Sequence, residues 1–326
     1  MNAGSGSVET IRARLAALGP GQWLFAVSGG ADSMVVLHAA LATLRRDEVT
    51  VATFDHGTGS AASAAVKFVV GTAATAGVRC ISGSAVDSWA HDSGAQDTGQ
   101  PVGTEAHWRK ARWHFLSAAA CRVGARIATG HTLDDQVETV FMRALRGAGA
   151  RGLAGLYASS PIARPLLDVT RADILAYASE CNITFMVDPS NSDRRHLRNR
   201  VRLDLLPAIE ASRPGFACEL LNIARQAADL RARTEAVALT FPMMTDNPGM
   251  YSFDRAPLRG HPLGALRVLW PPLAARAGVI MDRRGTERLA KFTIEGETGQ
   301  AIQLAGGVTV FMSREAIQLH TRTLRD

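Results

Sequence analysis

The sequence predicts an α/β protein: a doubly wound, mainly parallel sheet followed by a smaller α+β C-terminal domain. Three observations carry this. Short β-prone runs alternate with helix-length segments over the first part of the chain, the pattern of a parallel sheet covered on both faces. Polar clusters recur directly after those runs, where ligands bind in such sheets. Beyond Pro207 the alternation stops and hairpin signals take over. The expected division is 1–210 for the sheet domain and 211–326 for a linker helix and the small α+β domain.

Composition sets the bounds. A length of 326 residues suits two domains, and 47% hydrophobic against 20% charged residues supports a sizeable core rather than wholesale disorder. The 36 Lys+Arg against 30 Asp+Glu give a formal charge of +6, which suits a polyanionic partner. Cys80, Cys121, Cys181 and Cys218 are scattered without a C-x-x-C pair. That spacing argues against a disulfide framework or a cysteine metal site and fits a reducing cytoplasm. The polar start, Met1 to Ser7, has no signal-peptide core, and no apolar run is long enough to span a bilayer. The expectation is a cytoplasmic protein that does not enter a membrane.

Taken in order, Val8–Leu18 reads as a helix ended by Gly19-Pro20-Gly21. Trp23–Val27 is an apolar run bounded by glycines, hence a buried strand. Ser28-Gly29-Gly30-Ala31-Asp32-Ser33 follows, and Met34–Leu41 reads as a helix with Asp32 or Ser33 near its N-cap. Val49–Phe54 is a second strand ending in Asp55-His56-Gly57. Ala61–Ala76 is helix-prone, Val78–Ile81 a third strand, and Ser82–Gly103 a polar loop or insertion. Thr104–Val123 reads as a helix carrying Arg109, Lys110 and Arg112 beside Trp108 and Trp113. Such a helix either touches RNA or buries its tryptophans beneath a solvated basic face. Ala125–Thr129 is a fourth strand, followed at once by Gly130-His131-Thr132-Leu133-Asp134-Asp135.

Past these elements, Gly147–Gly152 is a basic glycine loop containing Arg151, and Arg171–Cys181 a helix. Asp188–Asn191 is a turn, and Arg194–Arg202 gathers arginines on a short helix, either solvated or set against RNA phosphates. Glu219–Ala238 reads as a long joining helix. Leu263–Ala277, broken or kinked at Pro271-Pro272, and Arg284–Phe292 are further helices. Asn247-Pro248-Gly249 is a turn, Ala301–Leu304 with Val308–Met312 a hairpin, and Ala316–His320 a further strand.

Chemistry concentrates at the strand ends. A strand, a glycine turn and a helix bring phosphate to free backbone N–H groups at the helix N-terminus. Gly29 and Gly30 allow close approach, and the Ser28 and Ser33 hydroxyls can donate to phosphate oxygens. The plain alternative is a turn with a serine cap. Asp55 reads either as a nucleoside contact or as an Asp/Gly turn. Thr132 with Asp135 fits a capping box. Asp134 and Glu138 lie one helical turn apart and repel, which a magnesium ion or a cationic substrate would relieve.

SGGADS lacks the lysine of a G-x-x-x-x-G-K-[ST] loop and the G-x-G-x-x-G spacing. It resembles the pyrophosphate (PP) loop of ATP pyrophosphatases, which cleave ATP between its α and β phosphates. DHG at Asp55–Gly57 belongs to the same broad class, whereas GHTLDDQVETVFMRALRGAGARGLAGL and DPSNSDRRHLRNRVRLDLLP resemble more specifically the bacterial tRNA(Ile)-lysidine synthetase family, the resemblance running over Trp23–Pro207. Thr58-Gly59 departs from that family's usual leucine and arginine, and Trp113 stands where a tyrosine is usual.

The resemblance implies a ligase that uses ATP and Mg2+ to adenylate the wobble cytidine of tRNA(Ile) with a CAU anticodon. Free L-lysine then displaces AMP. It places ATP against Ser28, Gly29, Gly30, Ala31, Asp32, Ser33, Asp55, His56, Gly130 and His131. Catalysis falls to Asp32, Asp135, Glu138 and Arg198, with Asp32 and Asp135 toward magnesium and Glu138 orienting or deprotonating the lysine amine. Arg151, Arg194, Arg195 and Arg200 fall to tRNA, and a homodimer stays open. A tRNA thiolase of the same class, an amidotransferase partner resembling GMP synthetase and a non-catalytic tRNA-binding protein are the rival readings.

Overall fold

The computed structural model describes residues 3–57, 59–85 and 105–321. Thr58 and most of the expected Ser82–Gly103 loop fall outside them, while Ser82–Ser84 belong to the third strand. The chain divides into two compact units, Met1–Ala224 and Arg225–Asp326.

The first unit runs α1 (Ala3–Ala16), β1 (Trp23–Ala26), α2 (Ala31–Thr43), β2 (Val49–Asp55), α3 (Ser60–Thr75) and β3 (Arg79–Ser84). It continues with α4 (Glu105–Val123), β4 (Arg126–Thr129), α5 (Leu133–Leu145) and α6 (Arg171–Glu180). The four strands pair in the order β3-β2-β1-β4, all parallel, with Trp23 registered on Val49 and Arg126. Strand alternation explains the two layers. Trp23 and Phe25 enter a core shared with α1, α2, α3 and α6, whereas Leu24 and Ala26 enter one shared with Leu116, Ala119 and Ala120 of α4. A strand buried on both faces must be apolar throughout, which is why β1 reads as an unbroken apolar run.

Thr132 caps α5: its hydroxyl accepts from Asp135 N–H, while the Asp135 carboxylate accepts from Thr132 N–H. The helix buries Val137, Val140 and Phe141 against Val201, Leu220 and Leu221. The expected single helix over Arg194–Arg202 is replaced by a composite. After a 3-10 turn at Pro189–Ser192, α7 runs Leu197–Arg200, widens into a π turn at Val201–Leu205 and continues as Leu206–Ser212. Then α8 spans Phe216–Leu239.

The second unit contains β5 (Met243–Asn247), β6 (Met250–Asp254), α9 (Leu263–Arg276), α10 (Arg283–Glu295), β7 (Ala301–Leu304), β8 (Val308–Met312) and β9 (Ala316–His320). Its antiparallel sheet has the order β5-β6-β9-β8-β7. The β5–β6 hairpin was foreshadowed only by the turn at Asn247–Gly249. α9 continues through Pro271 and Pro272 instead of breaking there, with Trp270, Pro272 and Leu273 buried. Packing of that face outweighs the lost backbone bonds.

Candidate functional site

The site gathers at the carboxyl ends of β1, β2 and β4. Gly29 has φ +88°, a left-handed conformation that favours glycine, and its carbonyl accepts from Met186 N–H at 2.8 Å. Gly30 is the N-cap of α2 and lacks a side-chain cap, so Asp32 and Ser33 lie inside the first turn rather than at the cap. The Ser33 hydroxyl donates to the Gly30 carbonyl at 2.9 Å and accepts from Ser28 N–H at 3.2 Å. The Ser28 and Ser33 oxygens lie 3.3 Å apart. Internal bonds therefore hold the loop in shape beside a helix start.

Beside it opens a cavity of about 220 Å3, lined among others by Ser28, Gly30, Phe54, His56, Arg112 and Met186. His56 Nδ1 is buried without a partner. Burial, with the charge of Arg112, pushes the His56 pKa down, against the pull of Asp55. Burial and the charge of Arg109 lower the Arg112 pKa as well. A cavity holding a buried orphan nitrogen and a guanidinium is a place for a polar, anionic ligand. Larger hollows of about 610 and 660 Å3 lie at the amino ends of the strands, beside Arg46, Arg79 and Arg122, and between α2 and α3, beside His38 and Cys181. Neither includes a residue of the strand-end clusters.

Asp55 is built into the fold. Its carboxylate accepts from Gly57 N–H at 2.8 Å and from the Ser63 hydroxyl at 2.6 Å, anchoring the start of α3. It is not among the cavity's lining residues.

The carboxylates meet arginines. Asp32 accepts from Arg171 Nη1 at 3.1 and 3.2 Å. Burial holds its pKa above the usual value, opposed by Arg171, while the charge of Asp135 adds to the rise. Asp134 accepts from Arg171 N–H at 2.7 Å. Glu138, only 2% exposed, accepts from Arg198 Nε at 2.7 Å on one oxygen and from Arg202 Nε on the other. Arg198 Nη2 also reaches Asp135 at 2.8 Å. Of the pair expected to repel, Glu138 is met by the guanidiniums of Arg198 and Arg202, whereas Asp134 accepts only from the Arg171 backbone N–H. The π turn carries Arg202 alongside Arg198 in this cluster, as such turns often do at functional sites.

His131 Nδ1 lies 2.7 Å from the Thr129 hydroxyl. Its pKa is pushed down to about 4, first by burial and then by Arg164, Arg112 and Arg198, with Asp135 opposing. It is neutral at pH 7. Gly130 permits a close approach: a Cβ there would sit 3.1 Å from the Asp32 carbonyl oxygen and 3.2 Å from Val36 Cγ2. Ala31 is buried in the first turn of α2.

The remaining arginines stand apart from this cluster or pair locally. Arg194 pairs with Asp204 at 3.1 Å, and Arg195 with Asp193 at 2.7 Å, both exposed. Arg200 is exposed on α7, and Arg151 is half-buried on the single turn Ala150–Leu153. Sequence reasoning missed Arg171 and Arg202 and gave Arg112 no place at the cavity. The one available signal was the i, i+4 spacing of Arg198 and Arg202, which matches the Asp135–Glu138 face of α5.

The PP-loop domain model matches residues 7–209. The chain is 36% identical over 305 residues to the tRNA(Ile)-lysidine synthase of Salinispora arenicola, covering 89% of this chain and 88% of that one. It is 34% identical over 253 residues to that of Novosphingobium aromaticivorans, covering 74% of each. A U34-tRNA thiolase structure from Methanococcus maripaludis shares the fold, with a TM-score of 0.55 at 14% identity over 69% of this chain and 79% of that one. Strand-end loop, arginine-bridged carboxylates and sequence similarity over most of the chain agree: the chain belongs to the tRNA(Ile)-lysidine synthase family of PP-loop proteins.

Proposed function

We propose that this chain uses ATP to activate the wobble cytidine of a CAU-anticodon tRNA(Ile) and joins free lysine to it. The observation that carries the reading is the Asp135–Glu138 pair, bridged by Arg198 and Arg202 one loop from Ser28–Ser33. The loop N–H groups and the Ser28 hydroxyl would hold pyrophosphate, and Arg112 would meet a phosphate at the cavity wall. The cytidine C2 oxygen attacks the α-phosphorus, and the bond to pyrophosphate breaks. The lysine ε-amine then attacks C2, and the bond to AMP breaks. Arg198 and Arg202 lie where they can stabilise negative charge as it develops.

Both Glu138 oxygens already accept from guanidinium groups. Each oxygen is thus already committed to a guanidinium N–H. We assign it to positioning Arg198 and Arg202, and the amine proton to the departing phosphate.

A magnesium ion here would be of the substrate-bridged kind. Asp32 feels the charge of Asp135, while no group of three His, Cys, Asp or Glu residues suited to a metal occurs among the described residues. Magnesium commonly binds through one or two carboxylates plus substrate phosphates. Asp32 and Asp135 would hold it, and bound there it would neutralise charge on the pyrophosphate.

Incubation with ATP, labelled lysine and CAU-anticodon tRNA, followed by nucleoside analysis, tests the proposal. Lysine on the wobble cytidine is expected. Pyrophosphate release without lysine transfer would overturn it.

A further inference from the structure

The face of α4 turned away from the sheet carries a second basic feature. A shallow hollow of about 500 Å3 is lined by Arg109, Lys110, Trp113, His114 and Ser117. These positions share one helix face, since they recur near i, i+4 and i+8. Trp113 is half-buried. One side packs against the core beneath β1, with Leu116 and Ala119, and it also lines the hollow. Arg109, Lys110 and His114 are exposed around it.

The hollow does not stand alone. The charge of Arg109 reaches both Arg112 and Arg164, and those two act in turn on His131. Guanidinium groups therefore run from beside the neutral His131 at the end of β4, through Arg164 and Arg112, to Arg109 at the rim of the hollow. Arg164 Nε is buried without a partner. A wall of like charges is costly to assemble unless an anion shares it. The volume falls in the roughly 300–1,000 Å3 range of small-ligand sites. Its shallow form suits a flat ring laid against an indole better than an enclosed molecule.

We propose that this hollow is a stacking subsite for single-stranded RNA. A nucleotide flanking the reacting cytidine lays its base on Trp113, and its phosphates lie along Arg109 and Lys110. Every base presents a π face, so the subsite holds the strand without reading sequence, and the arginines draw the phosphates toward His131. The proposal rests on the tRNA reading given above and adds where the strand leaves the reaction centre.

The test measures binding of a short RNA stem-loop bearing the CAU anticodon, by fluorescence anisotropy over a range of salt. Trp113→Leu keeps an apolar side chain but removes the aromatic face. It should weaken binding about tenfold, whereas Trp113→Tyr should stay within about threefold of wild type. The double variant Arg109→Ala/Lys110→Ala should make the salt slope shallower by about 1.4, the value for two lost single-strand phosphate contacts. Arg122→Ala, at the opposite end of the sheet, controls for net charge and should leave affinity within about twofold. Wild-type affinity in Trp113→Leu together with an unchanged slope in the double variant would overturn the subsite while leaving the tRNA reading intact. Should Trp113→Leu not fold, the slope of the double variant alone decides. Failure of the wild-type protein to bind the stem-loop would sink both.

Discussion

Glu138 is the most constrained charge in the site, with its carboxylate 2% exposed and two guanidinium groups upon it. Truncating one side of a buried ion pair strands the other, at a cost of about 3–5 kcal/mol. Glu138→Gln would leave Arg198 and Arg202 sharing Asp135 alone. We expect adenylation and lysine transfer to fall together, each about 100-fold, because both steps use the same arginines. Rapid-quench separation of adenylated tRNA from lysidine checks this. Selective loss of the second step would restore Glu138 as proton acceptor. His131 gives a pH signature of its own. Its folded pKa of about 4 lies below the ordinary 6.5. Between those values the unfolded chain binds a proton that the folded chain refuses, so stability rises with pH across this window and falls as pH drops through it. Melting temperatures measured from pH 7 to pH 4 should decline more steeply in wild type than in His131→Gln. Parallel curves would show that His131 is not the group responsible.

At the scale of elements, the site depends on how closely β4 and its loop approach the first turn of α2. A Cβ at residue 130 would meet backbone atoms of Asp32 at 3.1 and 3.2 Å, too tight without movement of that turn. Gly130→Ala should therefore raise the KM for ATP by several fold at a stability cost of about 1–3 kcal/mol. ATP titration alongside thermal melting checks it, and an unchanged KM would mean that α2 yields without disturbing the loop. These elements were readable in the sequence for a physical reason. β1 is apolar because both its faces are buried, β2 is rich in β-branched residues, and Ser28–Ser33 breaks the β1 run with glycines at a strand end. The partners of the carboxylates were not readable. Asp32 meets Arg171, 139 positions away, and Glu138 meets Arg202, 64 away. No local spacing encodes such pairings; the packing of α6 against α2 and of the π turn after α7 against α5 creates them. The continuous α9 was likewise hidden, because proline propensity points to a break and tertiary burial decides otherwise.

The whole molecule separates chemistry from a second core. All the carboxylates, arginines and loop atoms described at the site belong to residues before Ala224, whereas Arg225–Asp326 has its own apolar core and antiparallel sheet. No helix among the described residues is long and apolar enough to cross a membrane. We propose that the second unit positions tRNA and takes no part in the reaction. Trp270 allows this to be tested. It is fully buried, donates from Nε1 to the Thr293 hydroxyl at 2.7 Å and meets Phe253 edge-on at 5.9 Å. Trp270→Ala removes the largest side chain of that core and the indole N–H that the Thr293 hydroxyl accepts from, while that hydroxyl keeps its bond to the Leu289 carbonyl, for a loss of about 3–5 kcal/mol. If the units are energetically separate, calorimetry of this variant should show an early transition for the second unit and an unshifted one for the first. ATP binding should persist at temperatures between the two, while tRNA affinity falls at least tenfold there. A single transition that shifts as a whole, or ATP binding lost in step with tRNA binding, would mean that the second core supports the catalytic unit directly and that the assignment of tRNA positioning to it is wrong.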